Sequence, residues 1–264
     1  MWTVDAHAHL TDRKVAAPEN LRAELSQAGI KGVLLGGIGP EEWNRQLAMS
    51  QKQSPCHIWT CFGLHPYFVA EKEEDKLEKA FEKLCDMVDS ATALGELGLD
   101  FRSGFLARGQ SHQIGWFQRQ LELATGKKKP TVLHIVRAHQ DAQKVLKKFA
   151  PLPGMVHAFN STVANARHYL ELGLHISVGA ALLHERNQDL HHAIGEIPSE
   201  RLLLESDAPD QPPPGESSHD SRTVFLVAKK VAQLRGQSVE EILNETRTNF
   251  FTLTGISEKE IDLC

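Results

Sequence analysis

The sequence predicts an α/β protein of one domain, a (β/α)8 TIM barrel over residues 1–264, on three observations. Strand-like stretches recur eight times, segments of helical period separate them, and six potential metal ligands sit at or near the strand ends. Strand-then-helix repetition implies parallel pairing with right-handed crossovers, and eight such units close a barrel.

The first stretch, Thr3 to Leu10, carries Asp5, His7 and His9. Alternate side chains of a strand share a face, so the two imidazoles can reach one ion. A helical segment, Glu19 to Ala28, leads to the second strand, Gly32 to Ile38. Its exit, Gly36-Gly37-Ile38-Gly39, lacks the G-x-G-x-x-G register and runs into Pro40-Glu41-Glu42, so it reads as a tight strand-to-helix connection. Glu41 to Gln53 forms the next helix and His57 to Leu64 the third strand, followed by His65 and the helix Lys72 to Val88.

The fourth strand, Ala91 to Leu99, ends around Glu96, a carboxylate between glycines that let the chain turn sharply. With histidines on neighbouring strands, Glu96 is suited to bridging two cations. Gln113 to Thr125 is helical, and Lys127-Lys128-Lys129 reads as a solvated turn at a helix C-terminus, where positive charge is favourable. Pro130 to Val136 and Gly154 to Phe159 are apolar strands, each interrupted by one histidine, His134 and His157, with the helix Gln140 to Phe149 between them. A matched pair on consecutive strands points to a site. His175 to Ala181 and Arg201 to Asp207 complete the eight. Asp207 ends the last strand; a buried carboxylate is costly unless it meets a cation, so it is expected as a ligand and general base. In a closed barrel such residues gather at the C-terminal ends of the strands, where an open sheet would collect them at one switch point.

Composition restricts the rest. With 41% apolar residues the chain can bury a sizeable core, and no region shifts enough to mark a domain boundary. A formal net charge of −5 argues against a broad surface for neutralising duplex phosphates. The start runs straight into a strand, and no apolar stretch approaches the ~20 residues of a membrane span, so a cytoplasmic protein that does not enter membranes is expected. Cys56, Cys61, Cys85 and Cys264 show no C-x-x-C spacing and read as reduced, idle thiols.

Taken in order, Asp5-Ala6-His7-Ala8-His9-Leu10, Gly63-Leu64-His65-Pro66, Gly95-Glu96-Leu97-Gly98-Leu99-Asp100, Leu133-His134, His157-Ala158-Phe159 and Glu205-Ser206-Asp207-Ala208-Pro209 resemble the TatD family of metal-dependent deoxyribonucleases, over nearly the whole length. The resemblance implies a (β/α)8 barrel, a divalent-metal centre and phosphodiester hydrolysis, with exonuclease action on DNA known for some members. The chain departs from the family pattern at Phe159-Asn160-Ser161, at Ile135-Val136-Arg137 and in the loop from Gln211 to Arg222.

The ligand types suggest two divalent ions, Zn, Mn or Mg. His7, His9, Glu96 and Asp207 are expected to hold one, and Glu96, His134 and His157 the other, about 3.5 to 4 Å away. Water made acidic by the ions would attack, with Asp207 orienting it and carrying its proton and the ions offsetting the charge that builds on the phosphoryl oxygens. His65, Arg137 and Arg222 are candidate substrate contacts, while Phe62, Tyr67 and Phe68 read as loop packing and the remaining histidines, including His191-His192, as solvated. DNA ends or a small phosphoester are the expected substrates, acted on by a monomer. Two other readings stay open: hydrolysis of a small phosphoester, amide or lactone, and a non-catalytic metal-binding protein.

Overall fold

A computed structural model describes residues 1–12, 15 and 18–261. Its strands are β1 (Thr3–Ala8), β2 (Ile30–Leu35), β3 (His57–Trp59), β4 (Cys61–Phe62), β5 (Ala93–Asp100), β6 (Thr131–Val136), β7 (Gly154–Val156), β8 (His175–Val178) and β9 (Leu202–Leu204). Every pairing is parallel, in the orders β1-β2-β3 and β4-β5-β6-β7-β8-β9. Since β3 and β4 are one run interrupted at Thr60, these strands are the eight staves of a barrel.

The third stave breaks because a side chain takes over its ladder. Gln46 accepts the Cys61 N–H (3.0 Å) through Oε1 and donates through Nε2 to the Gly36 carbonyl (2.6 Å), while the Thr60 carbonyl accepts from Thr92 and Ala93. At the seam between β1 and β9, the Asp207 N–H donates to the His7 carbonyl (2.9 Å) and the His9 N–H to the Ala208 carbonyl (2.7 Å).

The observed strands mostly stop earlier than sequence periodicity suggests: β2 at Leu35, β7 at Val156 and β9 at Leu204. Past those points the backbone still bonds to the neighbouring strands, the Gly36 N–H to the Ala8 carbonyl (2.8 Å), the His157 N–H to that of Leu133 (3.1 Å) and the Glu205 N–H to that of Val178 (3.0 Å). The expected helices appear as Pro18–Gln27, Pro40–Ser50, Glu74–Met87, Gln110–Lys127 and His139–Leu146. Four further long helices follow, Val163–Glu171, Gln188–Glu196, Thr223–Arg235 and Val239–Thr254, the last opened by a capping box between Ser238 and Glu241.

At the end where the strands begin, Val4, Leu34, Trp59, Ala93, Val132, Met155 and Leu203 pack with Phe250 and Phe251 of the final helix, which plug the barrel floor. Lys127 pairs with Asp89 at 2.7 Å beside the helix end, as the lysine run suggests. Cys56 and Cys61 are buried, and burial pushes the Cys56 thiol up to about 12, so neither is reactive; Cys264 lies outside the described residues. Phe62 is core rather than rim.

Solvated histidines were expected outside the site, and here the fold differs. His191 is buried, with Nε2 2.9 Å from the Leu182 carbonyl, because its helix face turns inward; His175 is buried at the start of β8; His139 lines the mouth.

Candidate metal centre

His7 lies in β1 and His9 one residue past its end; Glu96 lies inside β5, His134 inside β6, His157 directly after β7, and Asp207 three residues after β9. Glu96 is thus mid-strand rather than at a strand end. It sits where the β5–β6 register shifts, between Gly95 and Leu97, and its N–H donates across the mouth to the Gly37 carbonyl (2.9 Å). That local bulge aims the carboxylate at the barrel axis.

Two glycines make the space. A Cβ on Gly36 would lie 2.4 Å from His9 Cε1 and 2.7 Å from His7 Cε1, so the Gly36-Gly37 exit is an imidazole berth as well as a turn. Gly98, at φ +150°, would bring a Cβ within 2.0 Å of the His134 carbonyl oxygen.

The donor atoms converge on Glu96. Its Oε1 lies 3.5 Å from His7 Nε2 and 3.3 Å from His9 Nε2, while Oε2 lies 2.8 Å from His157 Nε2, 3.4 Å from His134 Nδ1 and 3.5 Å from His65 Nε2. Asp207 Oδ1 is 3.6 Å from both His7 Nε2 and His9 Nε2. Most of these separations are long for hydrogen bonds. They match two ligands of one ion instead, since donors at ~2.1 Å from a shared centre in tetrahedral array stand ~3.4 Å apart. His7 Nε2 and Glu96 Oε1 are buried with no hydrogen-bond partner among the described residues, which is costly unless a cation supplies one. The nitrogen and oxygen donors therefore fit divalent cations.

Electrostatics agree. Burial pulls the His9 imidazole down, but Asp207 and Glu96 outweigh it and lift it to about 9; His157 is driven well above its ordinary value by Glu96 and Glu205 against the same desolvation. Burial opposes charge on Glu96 and Asp207 too, yet the surrounding imidazoles hold both below the usual carboxylate range. Protons and metal ions compete for these lone pairs, and the cluster favours whichever cation arrives.

Around the donors stands a second set of groups that sequence reasoning left without roles. Asp100, fully buried, lies 3.2 Å through Oδ2 from His134 Nε2, which places the proton there and frees Nδ1 for the centre. Arg102 grips that carboxylate through Nε and Nη2 and also donates to the Tyr67 hydroxyl. Glu205 accepts from Ala158 N–H (2.6 Å) and the Ser177 hydroxyl (2.5 Å) and faces His157 Nδ1 at 3.5 Å. Asp5 accepts from the Ser206 backbone (2.9 Å) and hydroxyl (2.6 Å), tying β1 to the segment that carries Asp207; burial raises it to about 7 despite those bonds. The Gln211 amide donates to Asp207 Oδ2 (2.6 Å), leaving Oδ1 for the histidines. Asp5 is spaced like the histidines it precedes and Asp100 closes the glycine-flanked run, so both carried a local signal; Gln211 carried none.

Of the three expected substrate contacts, two line the mouth cavity of 840 Å³, His65 and Arg137. His65 lies deeper than expected, within the donor cluster. Its Nδ1 accepts the Tyr67 N–H (2.9 Å), which leaves Nε2 as a donor, and burial with the neighbouring His134 lowers it to about 4. Arg222 is not brought there: it stands directly before the helix Thr223–Arg235 and holds Asp220 through Nε at 2.9 Å.

The model of the family described as TatD related DNase matches residues 4–255. The uncharacterized metal-dependent hydrolase YjjV of Escherichia coli K12 is 28% identical over 261 residues, covering 96% of this chain and 98% of that protein. The solved YjjV structure superposes with a TM-score of 0.87 at 26% identity, covering 97% of this chain and 98% of that one. The 3′-5′ ssDNA/RNA exonuclease TatD of Erwinia amylovora is 31% identical over 239 residues, 87% of this chain and 90% of that protein. A TatD family hydrolase of Entamoeba histolytica shares the fold, with a TM-score of 0.82 at 18% identity over 96% of this chain and 98% of that one.

Proposed function

We propose, from the premise that this chain belongs to the TatD-related DNase family of metal-dependent hydrolases, that it cleaves phosphodiester bonds at the ends of single-stranded nucleic acid, using two divalent ions. The observation that carries this reading is the division of Glu96. One oxygen faces His7 and His9 and the other faces His134 and His157, as a carboxylate shared between two cations would. Asp207, through the oxygen that Gln211 leaves open, completes the His7 and His9 set.

When bound, Zn, Mn or Mg ions supply acidified water and offset the negative charge that builds on a phosphoryl group. The chain's own residues do the rest. Asp207, fixed by the Gln211 amide, orients the attacking water, takes its proton and passes it towards the leaving oxygen. His65, a donor at Nε2 and low in basicity, offers an N–H to a phosphoryl oxygen rather than a lone pair to a cation. Arg137, at the exit of β6, lines the cavity with a planar fork suited to a phosphate.

The test is hydrolysis of end-labelled single-stranded DNA by metal-stripped protein re-supplied with Mg²⁺, Mn²⁺ or Zn²⁺, with Glu96→Ala and Asp207→Ala beside it. Stepwise shortening that requires metal is expected, with each substitution lowering the rate by about 10³-fold or more. Tight metal binding without cleavage of DNA or RNA would overturn the nucleic-acid reading and leave small phosphoesters, amides and lactones as the substrates to screen.

A further inference from the structure

Two of the stretches where the sequence departs from the family pattern, Ile135-Val136-Arg137 and Phe159-Asn160-Ser161, lie at the exits of the neighbouring staves β6 and β7. Each stave brings a histidine to Glu96, His134 or His157, and three residues further on it carries a hydrogen-bond donor, Arg137 or Asn160. At ~3.3 Å per residue those donors stand at most ~10 Å beyond the cluster. The step from one phosphate to the next in an extended strand is of that order. We propose that Arg137 and Asn160, with His139, hold the phosphate that adjoins the scissile one, an inference that rests on the nucleic-acid reading above.

All three residues line the 840 Å³ cavity, and from Ile135 to Asn160 no carboxylate lines it. Arg102, the other arginine on that cavity, is taken up by Asp100. Arg137 is exposed, and among the described residues its side chain has no ion pair or hydrogen bond, so its planar fork is open to an anion. His139 is arranged to donate. Its Nδ1 lies 2.8 Å from the Tyr169 hydroxyl, which the Gln143 amide also bonds. A phenol is the stronger donor and an imidazole nitrogen the stronger acceptor, so the Tyr169 proton goes to Nδ1 and the ring carries its own on Nε2. Burial holds His139 below its ordinary value, which keeps the ring neutral and in that tautomer. Phe159 and Tyr169 stand against the ring, centroids 6.4 Å and 5.9 Å away, and fix its plane. Asn160 is exposed, with no side-chain bond among the described residues. A charged fork, a neutral N–H and an amide make a wall of donors, and the two free oxygens of a phosphodiester only accept.

The experiment measures kcat/KM of the Mn²⁺-loaded protein for a thymidine dinucleotide, which has one phosphate, and for the trinucleotide, which has two. Beside them stand two trinucleotides in which one linkage or the other is a neutral methylphosphonate. The second phosphate is expected to raise kcat/KM about tenfold or more, the worth of a charge-assisted hydrogen bond, and the methylphosphonate forms should be cleaved no faster than the dinucleotide. Arg137→Gln and His139→Leu should each cut the trinucleotide's advantage to about threefold or less, and Arg137→Lys, which keeps the charge without the fork, should retain part of it. The advantage is a ratio read within each variant, so a general loss of folded or metal-loaded protein does not move it. Equal cleavage of dinucleotide and trinucleotide would overturn the phosphate seat while leaving the nuclease standing. So would a methylphosphonate form cleaved as fast as the diphosphate, or an advantage undiminished in both Arg137→Gln and His139→Leu. Hydrolysis of bis(p-nitrophenyl) phosphate with no oligonucleotide or longer strand cleaved would overturn the nuclease reading and the seat with it.

Discussion

Where the strands begin, Val4, Leu34, Trp59, Met155 and Leu203 pack against Phe250 and Phe251; where they finish, His7, His9, Glu96, His134, His157 and Asp207 face one another with buried polar atoms left over. The backbone shows the same contrast. Arg137, Ala158 and Asp207, at the exits of β6, β7 and β9, all hold positive φ, at 54°, 45° and 58°, in a region that disfavours side chains. Such residues cost about 1 to 3 kcal/mol each and persist only where the surroundings over-determine them. The floor supplies cohesion without chemistry, and the mouth supplies chemistry at the expense of stability.

The sharpest way to separate the two ends is to damage the floor alone. Phe250 is fully buried against Trp59, ring centroids 4.8 Å apart, and Phe250→Ala should cost about 3 to 5 kcal/mol through lost burial and a residual cavity. Urea unfolding should show that loss, while kcat per folded molecule stays near that of the parent. A matching fall in kcat at low temperature, where the variant is fully folded, would mean that floor and mouth are not independent.

A second test at the floor uses pH. Burial, with the nearby charge of Arg201, lowers His175 at the start of β8 to about 4, below the ~6.5 of an unfolded chain. Above pH ~6.5 the ring is neutral in both states and its contribution is fully present. As pH falls the unfolded chain takes up a proton that the folded one refuses, so stability drains away between about 6.5 and about 4. The loss approaches about 3 kcal/mol, at 1.36 kcal/mol per unit. Chemical denaturation of parent and His175→Asn across that window should give a steeper decline for the parent; parallel curves would show that His175 is not the floor's acid-sensitive group.

The barrel was legible because apolar runs and helical segments alternate without a break, and the convergence of His7, His9, Glu96, His134, His157 and Asp207 because a charged or imidazole side chain inside an apolar strand stands out. Strand ends were read too long at β2, β7 and β9, since Gly36, His157 and Asp207 look like strand continuation, whereas Gly36 leaves room for the imidazoles and His157 and Asp207 bring their side chains to the Glu96 cluster. Gln211 and Arg102 could not be read, because what gives them meaning is contact with Asp207 and with Asp100 and Tyr67, made by loop and turn geometry that leaves no periodic trace. Arg222 looked like a phosphate clamp for the opposite reason: its partner, Asp220, is two residues away and satisfies it locally. His191 was misjudged because a polar helix still needs a buried face.

Behind the donors at the mouth stands the second set of groups, and Asp100, the last residue of β5, is its clearest member. Its carboxylate is buried in β5, meets His134 Nε2 at 3.2 Å and is itself gripped by Arg102, so it fixes which imidazole nitrogen faces Glu96. An asparagine there keeps the shape but loses the charge that would make Nδ1 a strong ligand for a cation. Asp100→Asn should weaken Mn²⁺ binding about 10- to 100-fold, an effect smaller than losing Glu96 and comparable to other losses of a group behind a metal-binding histidine. Calorimetric titration of the metal-stripped variant measures this directly, and Arg102→Gln, which leaves the Asp100 carboxylate in place, should shift affinity much less. If both substitutions lower affinity equally, the ion pair as a whole orders the mouth; if neither does, His134 keeps its orientation from packing against His65, Tyr67 and His157, whose rings stand 4.4 Å, 5.7 Å and 5.3 Å from its own.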